Sequence, residues 1–457
     1  MIIAVKTDRG KRTIPLYHIA FITFLLFFGV GNILFALHLQ RGIVPDEYAR
    51  ICIVEAFDET LGIPEETEKI LLKGNVIEGN PFLYYWVLAR IRNLVRLLFP
   101  SITSEALFLI SRVFNSLLSV GTLIVTYILS RDVIKNPWLA ILPPFVFANL
   151  QTFFMISAGI SYDNLNNLLC VIAIFFFIKL VREKEKNFWR KTFVLGIVLG
   201  LAGLTKKTSL PLIIIVFLLW LYELMKNKPK WDKLSTFTGF LLVFSVIILA
   251  ANVYMYGRNL VLYRTLIPGC HAIETAELCD QSNYYLRWKD IGQLEKLRLS
   301  DLRSLGYPGP LEYYFTHWMT IMLTRNIGAF GHKVWNNPLG EAYGLALIVI
   351  AMAGFSQLKK PTKVTWNLIL ISFFYIVFLY FYNYNEQLYY AFAGIAIQGR
   401  YIYPVIPALL ILITLILESI KPKFMYYFMI IFVIVITLLG GPFQFLYYYN
   451  DYFYSWL

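Results

Sequence analysis

The chain has 457 residues, 58% hydrophobic and 15% charged, with a mean hydropathy of +0.62. So few charges cannot clothe a soluble protein of this length, and several uncharged runs of about 20 residues point to a polytopic helical membrane protein. The runs do not alternate in polarity, which excludes a barrel, and the net charge of +13 sits largely in short connectors that hold loops in the cytoplasm, not in a nucleic-acid-binding motif.

In chain order, a short basic segment with Lys6, Arg9, Lys11 and Arg12 precedes a first span at 17–39. That span is too long for a signal-peptide core and no small-x-small site follows it, so an uncleaved anchor with a cytoplasmic N-terminus is expected. Residues 40–104 form a first outer loop that opens with Val44-Pro45-Asp46-Glu47. Its amphipathic stretches at 48–57 and 65–72 read as short surface helices. Another helix opens at Asn80, with Pro81 in its first turn, and carries Arg90, Arg92 and Arg96 on a basic amphipathic face suited to a membrane surface.

Further spans are expected at 105–130 and 138–157, then, after a tight turn at 157–164, one that ends near 181, and at 192–204, 209–225, 235–256, 341–358, 365–383, 401–419 and 424–447. This gives an all-α integral membrane bundle of about 11 transmembrane helices. It divides into an N-terminal module at 1–256, which includes the loop at 40–104, a second large outer loop at 257–340 with interfacial helices, and C-terminal helices at 341–457. Tyr residues near span ends fit an aromatic belt at the interfaces. Cys270 and Cys279 bracket a short piece of the second outer loop and can pair if that side is oxidising. Cys170 reads as a core thiol.

The candidate chemistry begins at Asp46 and Glu47. A carboxylate tethered close to the first span can act as a general base toward an acceptor hydroxyl or hold a divalent cation; the bland reading is a solvated acidic pair. Arg112, Lys206, Lys207 and Arg400 lie inside or at the ends of spans. Such charges mark polar cavities unless they snorkel to the interface. Arg and Lys gathered in one place suit a phosphate leaving group. Asp163 either caps the fourth span or supplies a second carboxylate on the side of Asp46. His271, His317 and His332 match no metal spacing, and no nucleotide-binding loop is present.

The order of these features resembles the GT-C superfamily of polytopic glycosyltransferases. The resemblance rests on Pro45-Asp46-Glu47, Asn80-Pro81-Phe82-Leu83-Tyr84-Tyr85, Ser111-Arg112, Ser161-Tyr162-Asp163 and Leu204-Thr205-Lys206. The late motifs Gly328-Ala329-Phe330-Gly331 and Gln398-Gly399-Arg400-Tyr401-Ile402-Tyr403-Pro404 look like those of an uncharacterised bacterial branch of that superfamily. One departure is Arg50, where relatives tend to carry His.

The resemblance implies transfer of a sugar from a polyprenyl-phosphate carrier to an envelope glycan, lipid or protein acceptor. Transfer would occur on the outer face of the plasma membrane, with inversion. Asp46 would be the base and Glu47 its helper or a metal contact. Arg112, Asp163, Lys206, Arg400 and Tyr401 would serve the substrate, with Arg112 orienting the acidic pair. No cofactor is indicated beyond a divalent cation at Asp46 and Glu47. The alternatives are a flippase of lipid-linked sugars and a non-catalytic envelope-assembly protein.

Overall fold

A computed structural model describes residues 2–5, 12–73, 75–183, 187–227, 235–282, 297–300, 304–327, 361–390 and 397–442. It also describes the positions 286, 302, 329–330, 333–334 and 344. The expected span at 341–358 and the tail at 447–457 fall outside these residues, apart from position 344. So do His332 and half of the Gly328–Gly331 motif.

Helix α1 (Leu16–His38) follows a small antiparallel hairpin, β1 (Ile2–Val5) with β2 (Arg12–Pro15). Seven helices among the described residues are long and apolar enough to cross a membrane. They are α1, α5 (Ser104–Val133), α8 (Tyr162–Arg182), α9 (Phe188–Thr205), α10 (Leu210–Asn227, extended by a 3-10 turn from Lys207), α11 (Thr236–Tyr263) and the helix Lys363–Tyr390. Two shorter apolar helices, Ile406–Ser419 and Lys423–Leu439, follow. The chain is an integral membrane protein. The expected count of about 11 is not reached among the described residues.

The expected third span at 138–157 is not one helix. It is α6 (Leu142–Ala148) and α7 (Gln151–Ser157), which with the preceding 3-10 turn are bent by 69° at Asn149-Leu150. The cause is local. Asn149 turns its amide back onto the Phe145 carbonyl (2.8 Å) at the end of α6, while Gln151 donates to the Gly440 carbonyl (2.9 Å). The Asn149 amide adds a second hydrogen bond on the Phe145 carbonyl, and the Gln151 amide ties the break to the end of the helix Lys423–Leu439. Helix α11 runs to Tyr263, so the second large loop starts later than the expected 257.

The spans pack by burying polar stripes inward. On α5, Ser111, Asn115, Ser119, Thr122, Thr126 and Ser130 are all fully buried at spacings of three or four residues. Ser111, Thr126 and Ser130 donate to the carbonyl four residues back, at 2.7 to 2.8 Å. A hydroxyl satisfied by its own helix can pack against a neighbour without an unpaired polar group. Leu26 and Phe27 on α1 and Val253 and Tyr254 on α11 stay exposed, as a lipid-facing surface requires.

The stretch expected to be the first outer loop is a platform. It consists of α2 (Glu47–Asp58), α3 (Glu68–Leu72) and α4 (Leu83–Leu98). Ile53, Val54, Phe57, Ile70, Tyr84 and Leu88 form its core with Ile160. Helix α4 starts at Leu83, so Pro81 precedes it and does not lie in its first turn. Asp58 of α2 is held by Arg92 and Arg96 of α4, each at 3.0 Å. The platform docks onto the end of α11, where Arg258 reaches Glu78 (2.6 Å) and Asn259 donates to the Gly79 carbonyl (2.7 Å). Beyond α11, Cys270 and Cys279 form a disulfide.

Candidate active site

The site is built where the chain leaves α1 and enters α2. Gly42 turns with φ +80°, and a Cβ there would lie 2.2 Å from a ring carbon of Tyr48. At Gly159, a Cβ would lie 2.3 Å from Val44 Cγ2. Only glycine lets the turn before α8 press against the acidic motif. Asp46 is left-handed, with φ 63° and ψ 10°, at the N-terminus of α2. A non-glycine residue held in that region marks a position that its surroundings over-determine. The two acids then part company: the Glu47 side chain is 1% exposed and that of Asp46 is 50% exposed.

Glu47 is consumed by the fold. Its Oε1 accepts from Arg112 Nε (2.9 Å) and the Ile160 amide (3.1 Å); its Oε2 accepts from Arg112 Nη2 (2.7 Å) and the Gly42 amide (3.2 Å). Four hydrogen bonds fill a carboxylate. Arg112 also donates to the carbonyls of Ala36 (3.0 Å), Leu39 (2.5 Å) and Gln40 (3.1 Å), the C-terminal end of α1. All five of its N–H donors are therefore engaged. Arg112, expected to serve the substrate, has no donor left for one. It joins Glu47 of the acidic motif to the end of α1. Glu47, expected to help catalysis, has no open oxygen.

Asp46 faces a different set. Its Oδ2 accepts from Arg50 Nη2 (3.1 Å) and Arg400 Nη2 (3.0 Å). The same two guanidiniums approach Asp163 Oδ2, at 3.9 Å from Arg50 and 3.6 Å from Arg400. Lys206 pairs with the other oxygen of Asp163. Ser161 links the groups, accepting from Arg50 Nη1 (2.9 Å) and donating to Asp163 (3.0 Å). Arg50 stacks 4.4 Å over Tyr162, and Lys206 lies between the rings of Tyr162 (4.8 Å) and Tyr401 (4.7 Å). Buried cations are thus held by carboxylates and aromatic faces together.

Burial opposes the charge on Arg50 and Arg400, yet both are held above the ordinary arginine value. Tyr162, Asp46 and Asp163 raise Arg50; Asp163 and Asp46 raise Arg400. Arg50 Nε and Arg400 Nε and Nη1 are buried without a hydrogen-bond partner. Such donors are costly unless an acceptor meets them. The cluster is therefore a cationic cradle with one half-open carboxylate at its rim.

Asp46, Asp163, Lys206, Arg400 and Tyr401, named from the sequence, come together here. Lys207 does not: it lies over the ring of Tyr382, at 5.7 Å. Arg50, read only as a departure from a family pattern, is central. The signal was present, since Arg50 stands four residues after Asp46 and one helical turn brings such pairs together. As arranged, Asp46 and Glu47 do not suit a divalent cation, because Glu47 is filled and Asp46 faces two guanidiniums. Among the described residues, no group of three or more His, Cys, Asp or Glu is placed to hold a metal. His271 pairs with Asp280 (2.8 Å) and His317 with Thr316 (2.7 Å), both away from the cluster.

Residues 98–262 match the family described as dolichyl-phosphate-mannose-protein mannosyltransferase. The matched stretch includes Arg112, Asp163 and Lys206 and leaves Asp46 and Arg400 outside it. No curated protein matches the chain. Among solved structures, the chain resembles the S. cerevisiae protein O-mannosyltransferase Pmt1–Pmt2 complex bound to the sugar donor. Identity is 17%, over 57% of this chain and 37% of that one, with TM-score 0.36. It also resembles ArnT from Cupriavidus metallidurans bound to undecaprenyl phosphate, with 13% identity over 89% of this chain and 61% of that one, TM-score 0.45. A third is the Archaeoglobus fulgidus oligosaccharyltransferase in the apo form, with 14% identity over 93% of this chain and 55% of that one, TM-score 0.47. The chain spans between 37% and 61% of the length of these structures.

Proposed function

We propose that the chain is a membrane glycosyltransferase that moves a sugar from a polyprenyl-phosphate carrier to an acceptor hydroxyl, with inversion at the anomeric carbon. The observation that carries this reading is the pairing of a half-exposed Asp46 with the buried guanidiniums of Arg50 and Arg400, beside the buried Lys206–Asp163 pair. The family match over 98–262 supports the donor class. Asp46 takes the proton from the acceptor as the acceptor oxygen attacks the sugar. Arg50, Arg400 and Lys206 meet the charge that develops on the leaving phosphate. Asp163 keeps those three cations in position. Arg112 and Glu47 fix the backbone from which Asp46 projects.

The outer face of the plasma membrane is the side we assign to this chemistry. The Cys270–Cys279 disulfide belongs to the segment that follows α11, and its second helical turn packs on α3 of the platform. A disulfide there suits an oxidising compartment.

The test uses purified protein in lipid, supplied with labelled polyprenyl-phosphate sugar and candidate glycan, lipid or peptide acceptors. Release of carrier phosphate is expected, and Asp46→Asn is expected to slow it by roughly 10²–10⁴-fold. Passage of intact donor across vesicles without bond cleavage would replace the enzyme by a flippase.

A further inference from the structure

Two carboxylates and three cations meet at the site: Asp46 and Asp163 against Arg50, Lys206 and Arg400. The adjoining Glu47–Arg112 pair neutralises itself. Tyr85 of α4, Tyr162 of α8 and Tyr401 complete the surroundings of Asp46 and its two arginines. The cluster thus keeps one positive charge in excess, and three of its guanidinium nitrogens are buried without a partner.

A sugar–phosphate–lipid donor is a phosphodiester with one negative charge. It brings the cluster to balance. During transfer, the acceptor oxygen bonds to the anomeric carbon and the bond from that carbon to the phosphate oxygen breaks. The electron pair stays on the phosphate, which becomes a monoester with a charge near −2. The acceptor's proton passes to Asp46. The cluster therefore loses one negative charge as the phosphate gains one, and the site is electrically balanced both before and after the reaction.

Resting on the donor reading above, we infer that Asp46 also governs product release. Protonated, it retains the spent carrier phosphate, and its deprotonation expels it. Arg50 and Arg400 make this direct, because the guanidiniums that hold one oxygen of Asp46 are those that face the phosphate. When Asp46 regains its charge, it competes for the same two side chains. Proton and phosphate monoester then favour each other's binding by an equal factor.

The full-length protein in nanodiscs tests this with two probes, a polyprenyl phosphate monoester and a polyprenyl methyl phosphate diester. Calorimetry at pH 8 in buffers of different ionisation enthalpy counts the protons taken up. Wild type is expected to take up about one proton with the monoester and none with the diester. Asp46→Asn is expected to take up none with either and to bind the monoester more tightly than wild type, by a factor that grows roughly tenfold per pH unit around pH 8. Monoester binding by wild type without proton uptake overturns the inference, and needs no variant to fold. The same uptake in Asp46→Asn also overturns it, because the phosphate would then carry the proton. If both probes bind, the donor reading stands whatever the proton count. If neither binds, the donor reading fails and takes the inference with it.

Discussion

Adjacent acids do opposite work when the backbone separates them. Asp46 takes a left-handed conformation and leaves Glu47 to point inward, where Arg112 closes on it. Replacing Arg112 with Leu leaves a buried carboxylate uncompensated, which is expected to cost about 3–5 kcal/mol. The measurement is the thermal midpoint in detergent, and an unchanged midpoint would show that the pair carries little. At the open side, Arg400→Ala is expected to raise the apparent KM for the lipid donor and leave the acceptor KM unchanged. An unchanged donor KM removes Arg400 from the phosphate cradle. The sequence exposes Asp46, Asp163, Lys206 and Arg400 because each charge interrupts or borders an apolar run. It hides the split between Asp46 and Glu47, since no one-dimensional signal marks the φ of 63° that separates them. The spacing of four exposes the Arg50–Asp46 pair, but not the approach of Arg50 to Asp163, which arrives from a distant helix.

The elements that carry these side chains are fastened by a few polar contacts. The hydroxyl of Tyr375, on the helix Lys363–Tyr390, lies 2.7 Å from the Tyr401 carbonyl and 3.1 Å from that of Thr208. It ties the turn bearing Arg400 to the link bearing Lys206. Tyr375→Phe removes a buried bond worth about 0.5–1.5 kcal/mol. It is expected to lower turnover several-fold while the protein still folds, as near-wild-type thermal unfolding would verify. The docking of the platform on α11 is expected to respond to pH. Hydrogen bonds from Arg258 and Tyr263 hold Glu78 below its ordinary value of 4.5. The charged form is therefore the one the docked state prefers. Its contribution is complete above about pH 4.5 and fades as pH falls through the lower folded value. Glu78→Gln should differ from wild type in urea resistance at pH 7, and the difference should shrink as the medium is acidified below pH 4. A difference that persists unchanged in acid would assign the loss to packing. Helix type and approximate position are legible from hydropathy alone, as α5 and α8 illustrate. The break in the third span is not, because Asn149 and Gln151 look like ordinary polar residues until Phe145 and Gly440 are beside them.

At the scale of the whole molecule, the orientation proposed from the Cys270–Cys279 disulfide can be measured. Cells treated with a membrane-impermeant reductant and then an impermeant maleimide are expected to become labelled at Cys270 and Cys279 without permeabilisation. Labelling only after permeabilisation would reverse the assigned sides. The bundle as a whole was readable because an uncharged run of about 20 residues has few alternatives to a membrane helix. The exact number of crossings was not, since a bent pair and short helices such as Ile406–Ser419 have the same composition as a full span.

Arg400 lies 354 residues after Asp46 in the sequence, yet it closes the ion cluster that Asp46 begins. Asp163 and Lys206 fall between them, so the cluster gathers segments that a ribosome makes far apart in time. A polypeptide stalled before Arg400 lacks one of the two guanidiniums that hold the Asp46 carboxylate.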